Sequence, residues 1–221
     1  MATHSINSTP RRRGRPARDQ EDASMAIRLA ALDVFAHNGF EKASIVEIAK
    51  AAQVAKPLVH YHFATKEELW QSAVSHAQAA LMAEALQFQV ILSRSDPMQS
   101  LALLANKMVE FAANHPQLVR IVVDETGKGG TRSEWLLENF LMPSYALCQT
   151  LIDNLSKDLK LGAAKPQAAH VVPVVLGVMN FPFLEAEIIR RAYGKDVYAK
   201  AYVKRHGDIL FRILKTFFQP S

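Results

Sequence analysis

The run from Ser44 to Leu69, SIVEIAKAAQVAKPLVHYHFATKEEL, leaves the chain around it few choices. Ser44 followed three residues on by Glu47 is a capping box. The serine hydroxyl takes a backbone N–H of the first turn and the glutamate returns to the serine N–H. Ile45, Ile48, Ala49 and Ala52 then fall on one stripe of a short helix. Gln53-Val54 makes a tight turn, with Val54 as an apolar plug. Pro57 suits the first turn of a second helix, where its missing N–H costs nothing; that helix spans about Lys56 to His62. Phe63 closes a small core. Thr65 with Glu68 caps a third, long helix from about Lys66 to Leu92. Two short helices across a tight turn are the plan of a helix-turn-helix.

The helix ahead of this run spans about Asp22 to Asn38, with Ile27, Ala30, Ala31, Val34 and Phe35 at helical spacing. Gly39 stands where a left-handed cap is needed, and Phe40 tucks beneath the next helix. Residues 1–19 have too little apolar content to fold alone. They hold Arg11, Arg12, Arg13, Arg15 and Arg18 and no acid. These five account for the whole formal net charge of +5. A basic arm on a neutral body points to a polyanion partner. Arg-Gly-Arg-Pro at Arg13–Pro16 resembles the core of an AT-hook, whose thin backbone lets arginines lie in a narrow minor groove. A solvated tail that only aids solubility is the alternative.

Composition excludes several classes. Apolar residues make up 49% of 221, enough for a substantial core. No apolar run approaches the roughly 18 residues of a membrane span. The richest stretch, Val171 to Phe183, is interrupted by Pro173, Pro182 and Asn180. No apolar segment follows the arginines, so no secretory signal is expected, and a cytoplasmic protein is the simple reading. The single Cys148 rules out an intramolecular disulfide and any cysteine zinc cluster.

Beyond Leu92 the pattern stays helical. Asp96-Pro97 opens a helix to about Asn114, and His115-Pro116 a shorter one through Glu125. Gly127–Gly130 reads as a flexible loop. A long helix follows from Ser133 to about Leu159, bent near Pro143. Another spans about Pro166 to Arg191, and a last about Lys195 to Phe218. No strand-period run competes. The expected fold is all-α: a disordered arm (1–19), a three-helix helix-turn-helix head (20–66) and a helical bundle (67–221).

At these residues the sequence resembles the TetR family of bacterial transcriptional regulators. The resemblance rests on Ala52-Gln53-Val54-Ala55-Lys56-Pro57-Leu58-Val59-His60-Tyr61-His62-Phe63, on Lys66-Glu67-Glu68-Leu69, and on Ala31, Leu32, Phe35, Gly39 and Phe40. It covers roughly residues 23–70. Gln53 replaces the usual turn glycine, Ala55 the serine that would cap the recognition helix, and His60 a common tyrosine. The resemblance implies that the helix from about Lys56 to His62 enters the major groove of a double-stranded DNA operator. Lys56, Pro57, Leu58, His60 and Tyr61 are then its exposed candidates. Leu58 meets a thymine methyl, and His60 donates to a base or a phosphate. Tyr61, His62, Lys66 and Ser44 contact phosphates; Arg11, Arg12, Arg13 and Arg15 act from the arm. Packing of Tyr61 and His62 against the long helix is the competing reading.

The helix from Pro166 is apolar nearly all round between Ala168 and Leu184 and needs cover on several sides. With the stripe Tyr198, Tyr202, Ile209, Leu210, Ile213, Leu214 and Phe217 it points to a homodimer through about 166–191 and 195–218, facing a near-palindromic operator. A pocket for a small, mostly apolar effector is expected among Phe88, Phe111, Val122, Trp135, Asn139, Tyr145, Asn180, Phe183 and Glu187. No catalytic signature, cofactor motif or metal spacing is present. Asp124 and Glu125 lack a nucleophile partner, and His60 and His62, two apart on a helix, diverge. The reading is a repressor released by its effector. An activator, or a non-specific architectural protein of the same fold, is the alternative.

Overall fold

The computed structural model describes residues 17–92 and 96–219. Within them lie helices and turns and no strand. Four helices build the head and its exit: α1 (Ala17–Lys42), α2 (Ile45–Ala51), α3 (Lys56–His62) and α4 (Lys66–Leu92). The body continues with α5 (Pro97–Asn114), α6 (Pro116–Lys128), α7 (Thr131–Leu136), α8 (Met142–Asp158), α9 (Ala168–Leu184), α10 (Ala186–Tyr193) and α11 (Lys200–Phe218).

Local chemistry explains most boundaries. Glu47 and Ser44 close the capping box on α2. The Thr65 hydroxyl takes the Glu68 N–H at 3.0 Å, while the Glu68 carboxylate takes the N–H of Ala64 at 2.8 Å, one residue earlier than a standard box. Asp96 caps α5 by accepting from Met98 and Gln99. Helix α1 begins earlier than expected, at Ala17. Gly39 (φ 71°, ψ 163°) breaks it at the expected place, with the positive φ that favours glycine, before a final turn to Lys42.

Four expectations change. Helix α6 runs to Lys128, so the glycine loop shrinks to Gly129 and Gly130. The helix expected from Ser133 to Leu159 is two, joined by the π-type turn Leu137–Leu141. Pro143 has no N–H to return to Asn139, and the ladder widens just before it. The helix expected from Pro166 to Arg191 divides into α9 and α10, bent by 67° about Glu185. Pro182 removes an N–H one turn before that bend. Helix α11 starts at Lys200 rather than Lys195, after a turn in which the Asp196 carboxylate accepts the Tyr198 N–H at 2.9 Å.

Two apolar cores result. One joins head and body: Ile27, Phe35, Phe40, Ile48, Val59, Phe63, Leu69 and Trp70 pack with Leu118, Ile121, Leu136 and Phe140. The other lies deep in the body around Leu101, Val109, Ile152, Val175, Phe183, Leu210 and Leu214. Helix α11 lies along α5 so closely that a Cβ on Gly207 would stand 2.5 Å from Asn106 Oδ1. Leu210 and Leu214, expected at a dimer interface, are thereby consumed inside the chain. Tyr198 and Ile209 on this segment, and Val174 and Phe181 on α9, stay exposed. No single helix among the described residues is long and apolar enough to cross a membrane.

Candidate nucleic-acid interface and interior cavity

The tight turn fixes the recognition element. Gln53 takes φ 56°, the left-handed conformation that glycine would adopt without strain. Ala55 leaves the start of α3 without a side-chain cap. Lys56, Pro57, His60 and Tyr61 are exposed and, four residues apart, share one face. Tyr61 is 68% exposed, which removes packing against α4 as its role. Leu58 is half-buried, and Val59 anchors the opposite face in the head core.

Three candidates are held differently from the expectation. His62 turns inward: its ring meets Tyr61 edge-on at 5.1 Å, and its Nε2 is buried without a partner. Lys66 donates to the carbonyls of Phe40 at 2.9 Å and Ala43 at 3.1 Å, with its ammonium 4.4 Å from the Phe40 ring centre. Its charge thus closes the end of α1 instead of pointing outward. The Ser44 hydroxyl and N–H both donate to Glu47, at 2.9 and 3.0 Å, so a phosphate there must compete with a carboxylate. The arm arginines Arg11, Arg12, Arg13 and Arg15 lie outside the described residues. On α2, Val46 is 58% exposed, an apolar side chain outside either core that the stripe argument passed over.

A cavity of about 520 Å³ opens in the body between α4, α5, α6, α8 and α9. Of the residues expected at an effector pocket, Phe111, Val122, Tyr145 and Asn180 line it. Trp135, Asn139, Phe183 and Glu187 do not. Trp135 packs edge-on against Trp70 at 5.4 Å. Asn139 is exposed and donates to the Trp135 carbonyl. Phe183 is fully buried in the second core. Glu187 faces solvent, where hydrogen bonds from Arg190 and Arg191 hold its carboxyl down at about 2. The side chain of Phe88 lies outside the described residues.

The cavity also recruits residues outside the expected pocket set: Glu84, Met108, His115, Ser144, Cys148 and Met179. His115 had only a helix-opening role in the sequence. Its ring stacks 4.4 Å from Phe111, and burial pushes its pKa below the usual 6.5, against the opposing pull of Glu84. Burial likewise pushes the Cys148 thiol up.

Helix α6 touches both regions. Leu118, Val119, Val122 and Val123 face the cavity. From the same helix Gln117 donates to Asp33 of α1, and Asp124 sits 3.2 Å from where a Cβ on Gly39 would be. Arg132 of α7 completes the junction, bonding Glu125 at 2.9 Å and Glu41 at 2.8 Å over the Phe40 ring.

Residues 27–73, which hold this head, match the family model described as bacterial regulatory proteins, tetR family. The helix-turn-helix head is thus of the TetR family. Among curated relatives, the chain is 32% identical over 100 residues to the HTH-type transcriptional repressor NicS of Pseudomonas putida, spanning 45% of this chain and 46% of that one. The match thus covers about half the length of NicS. The probable HTH-type transcriptional regulator YttP of Bacillus subtilis is 24% identical over 161 residues, 72% of this chain and 76% of YttP. Two solved structures share the fold. The fatty acid degradation regulator FadR from Bacillus halodurans superposes with a TM-score of 0.62 at 19% identity, over 86% of this chain and 94% of that one. FadR from Bacillus subtilis in complex with stearoyl-CoA gives 0.60 at 18% identity, over 85% and 97%.

Proposed function

We propose that this TetR-family protein is a sequence-specific DNA-binding transcriptional regulator. It acts as a homodimeric repressor that a small, mostly apolar effector releases from a near-palindromic operator. The observation that carries the reading is the double use of α4. It leaves the helix-turn-helix at Lys66 and lines the cavity at Leu81, Glu84 and Ala85. An effector that favours one tilt of this helix shifts the spacing of the two recognition helices by no more than its differential affinity allows. The repressor NicS among the relatives, and the acyl-CoA ligand of one structural neighbour, support repression and a lipophilic effector respectively.

In the bound state Lys56, Pro57, Leu58, His60 and Tyr61 face the major groove, the arm arginines the adjacent minor groove. Exposed Val174 of α9, with Tyr198 before α11 and Ile209 on it, meets the second copy. The test starts from an operator selected by the full chain out of a random duplex pool. Fluorescence anisotropy should show Lys56→Ala with His60→Ala weakening that duplex at least about tenfold. Unchanged binding sinks the assignment of α3. Deleting residues 1–18 should flatten the salt dependence of affinity; an unaltered slope removes the arm from the interface. Equal affinity for scrambled duplex favours the architectural alternative.

A further inference from the structure

The cavity carries a charge signature that its size and apolarity do not explain. Among the described residues lining it, Glu84 is the one carboxylate, and there is no lysine or arginine. Among the described residues Glu84 has no ion-pair or hydrogen-bonded partner. The groups in its field are Lys107, His115 and, through His115, His76. Lys107 is engaged by Glu110 at 2.7 Å, and burial disfavours the charged form of His115. A carboxylate is thus left uncompensated at the edge of an apolar chamber. The walls around it include the aromatic side chains of Phe111, Phe140, Tyr145 and Phe181.

Such walls sort ligands by charge. An anion entering this chamber loses hydration, finds no cation, and meets a carboxylate. A cation regains its lost hydration from the carboxylate and from the negative faces of the rings. We propose that the cavity takes a hydrophobic cation: a bulky apolar or aromatic body with one positive charge, the charge towards Glu84 and the body against the rings. This rests on the reading of the cavity as the effector site and narrows it from apolar ligands at large to one charge class.

Tetraphenylphosphonium and tetraphenylborate test it, having nearly one shape and opposite charges. Calorimetric titration of the full chain at neutral pH should give the phosphonium at least about tenfold tighter binding. Glu84→Gln should cut that preference by about the same factor and leave the borate no weaker. Val122→Trp, which fills the chamber, should weaken both ions. Lys107→Met leaves Glu84 in place, removes a competing cation, and should tighten only the phosphonium, by about threefold. Equal affinities in the wild type, a preference for borate, or a preference unchanged by Glu84→Gln overturns the charge assignment while leaving the cavity as the site. Binding of neither ion, or binding of both that Val122→Trp does not alter, overturns the cavity as the effector site along with it.

Discussion

Arg132 Nε donates to Glu125 Oε2 at 2.9 Å, and Glu125 is 1% exposed. The same guanidinium reaches Glu41 at 2.8 Å and lies 3.8 Å over the Phe40 ring centre. One cation thus ties α6 and α7 of the body to the end of α1 in the head. Glu125 Oε1 has no partner, so Arg132 is the main compensation for a buried charge. Removing one partner of such a pair leaves the other desolvated and alone.

Arg132→Ala should therefore destabilise the fold by about 3 kcal/mol, read as a shift of the urea unfolding midpoint. Arg132→Met with Glu125→Leu should recover part of that loss, because no uncompensated charge remains. A loss below about 1 kcal/mol for the single change would place the pair among weak surface bridges.

Lys66 makes a different prediction from the one its sequence position suggests. Its three donors are spent on carbonyls at the end of α1. Lys66→Met should cost about 1–2 kcal/mol of stability through the unpaired carbonyls and the lost cation–π contact. Once folded, the variant should keep the wild-type salt slope for DNA. A slope reduced by about one would restore Lys66 as a phosphate contact.

The head was legible because its signals are local. Capping pairs at Ser44–Glu47 and Thr65–Glu68, Pro57 in a first turn and the Gly39 stop each act within a few residues, and each marks a boundary in the structure. The body's pocket was less legible because facing is set by neighbours distant in sequence. Phe111 and Phe183 have the same character in the sequence. One lines the cavity, while the other is buried in the second core with its ring against Tyr198. His115 reads locally as a helix opener and Glu84 is one polar residue among several on α4, so neither position by itself points to a cavity. The split between α9 and α10 was foreshadowed by Pro182 but overridden by the continuous apolar run.

His115 gives a pH test. Its folded pKa is depressed by burial below an ordinary value of 6.5. The unfolded chain therefore binds a proton that the folded chain refuses as pH drops below 6.5. This group's contribution is fully present above that value and is lost as pH falls towards the folded pKa. His115→Gln should shrink the fall in urea midpoint between about pH 7.5 and pH 5.5. An undiminished fall would assign that pH dependence to other groups.

The strongest test of the body's packing concerns Pro182. Its ring nitrogen cannot serve the carbonyl of Val178, one turn back in α9. His206 of α11 donates its Nε2 proton to that carbonyl at 2.7 Å, stacked beside Tyr202. The proline's missing donor is thus replaced from another helix, and α11 is pinned to α9 at this point. His206→Phe should cost about 1–2 kcal/mol, since it leaves a half-buried carbonyl unserved. Pro182→Ala restores a helical N–H to Val178, so in that background the same histidine change should cost measurably less. The double-mutant cycle reads the coupling as urea midpoints of the four proteins. If His206→Phe costs the same with alanine at 182 as with proline, the histidine's contribution lies in its ring packing and not in the carbonyl it meets.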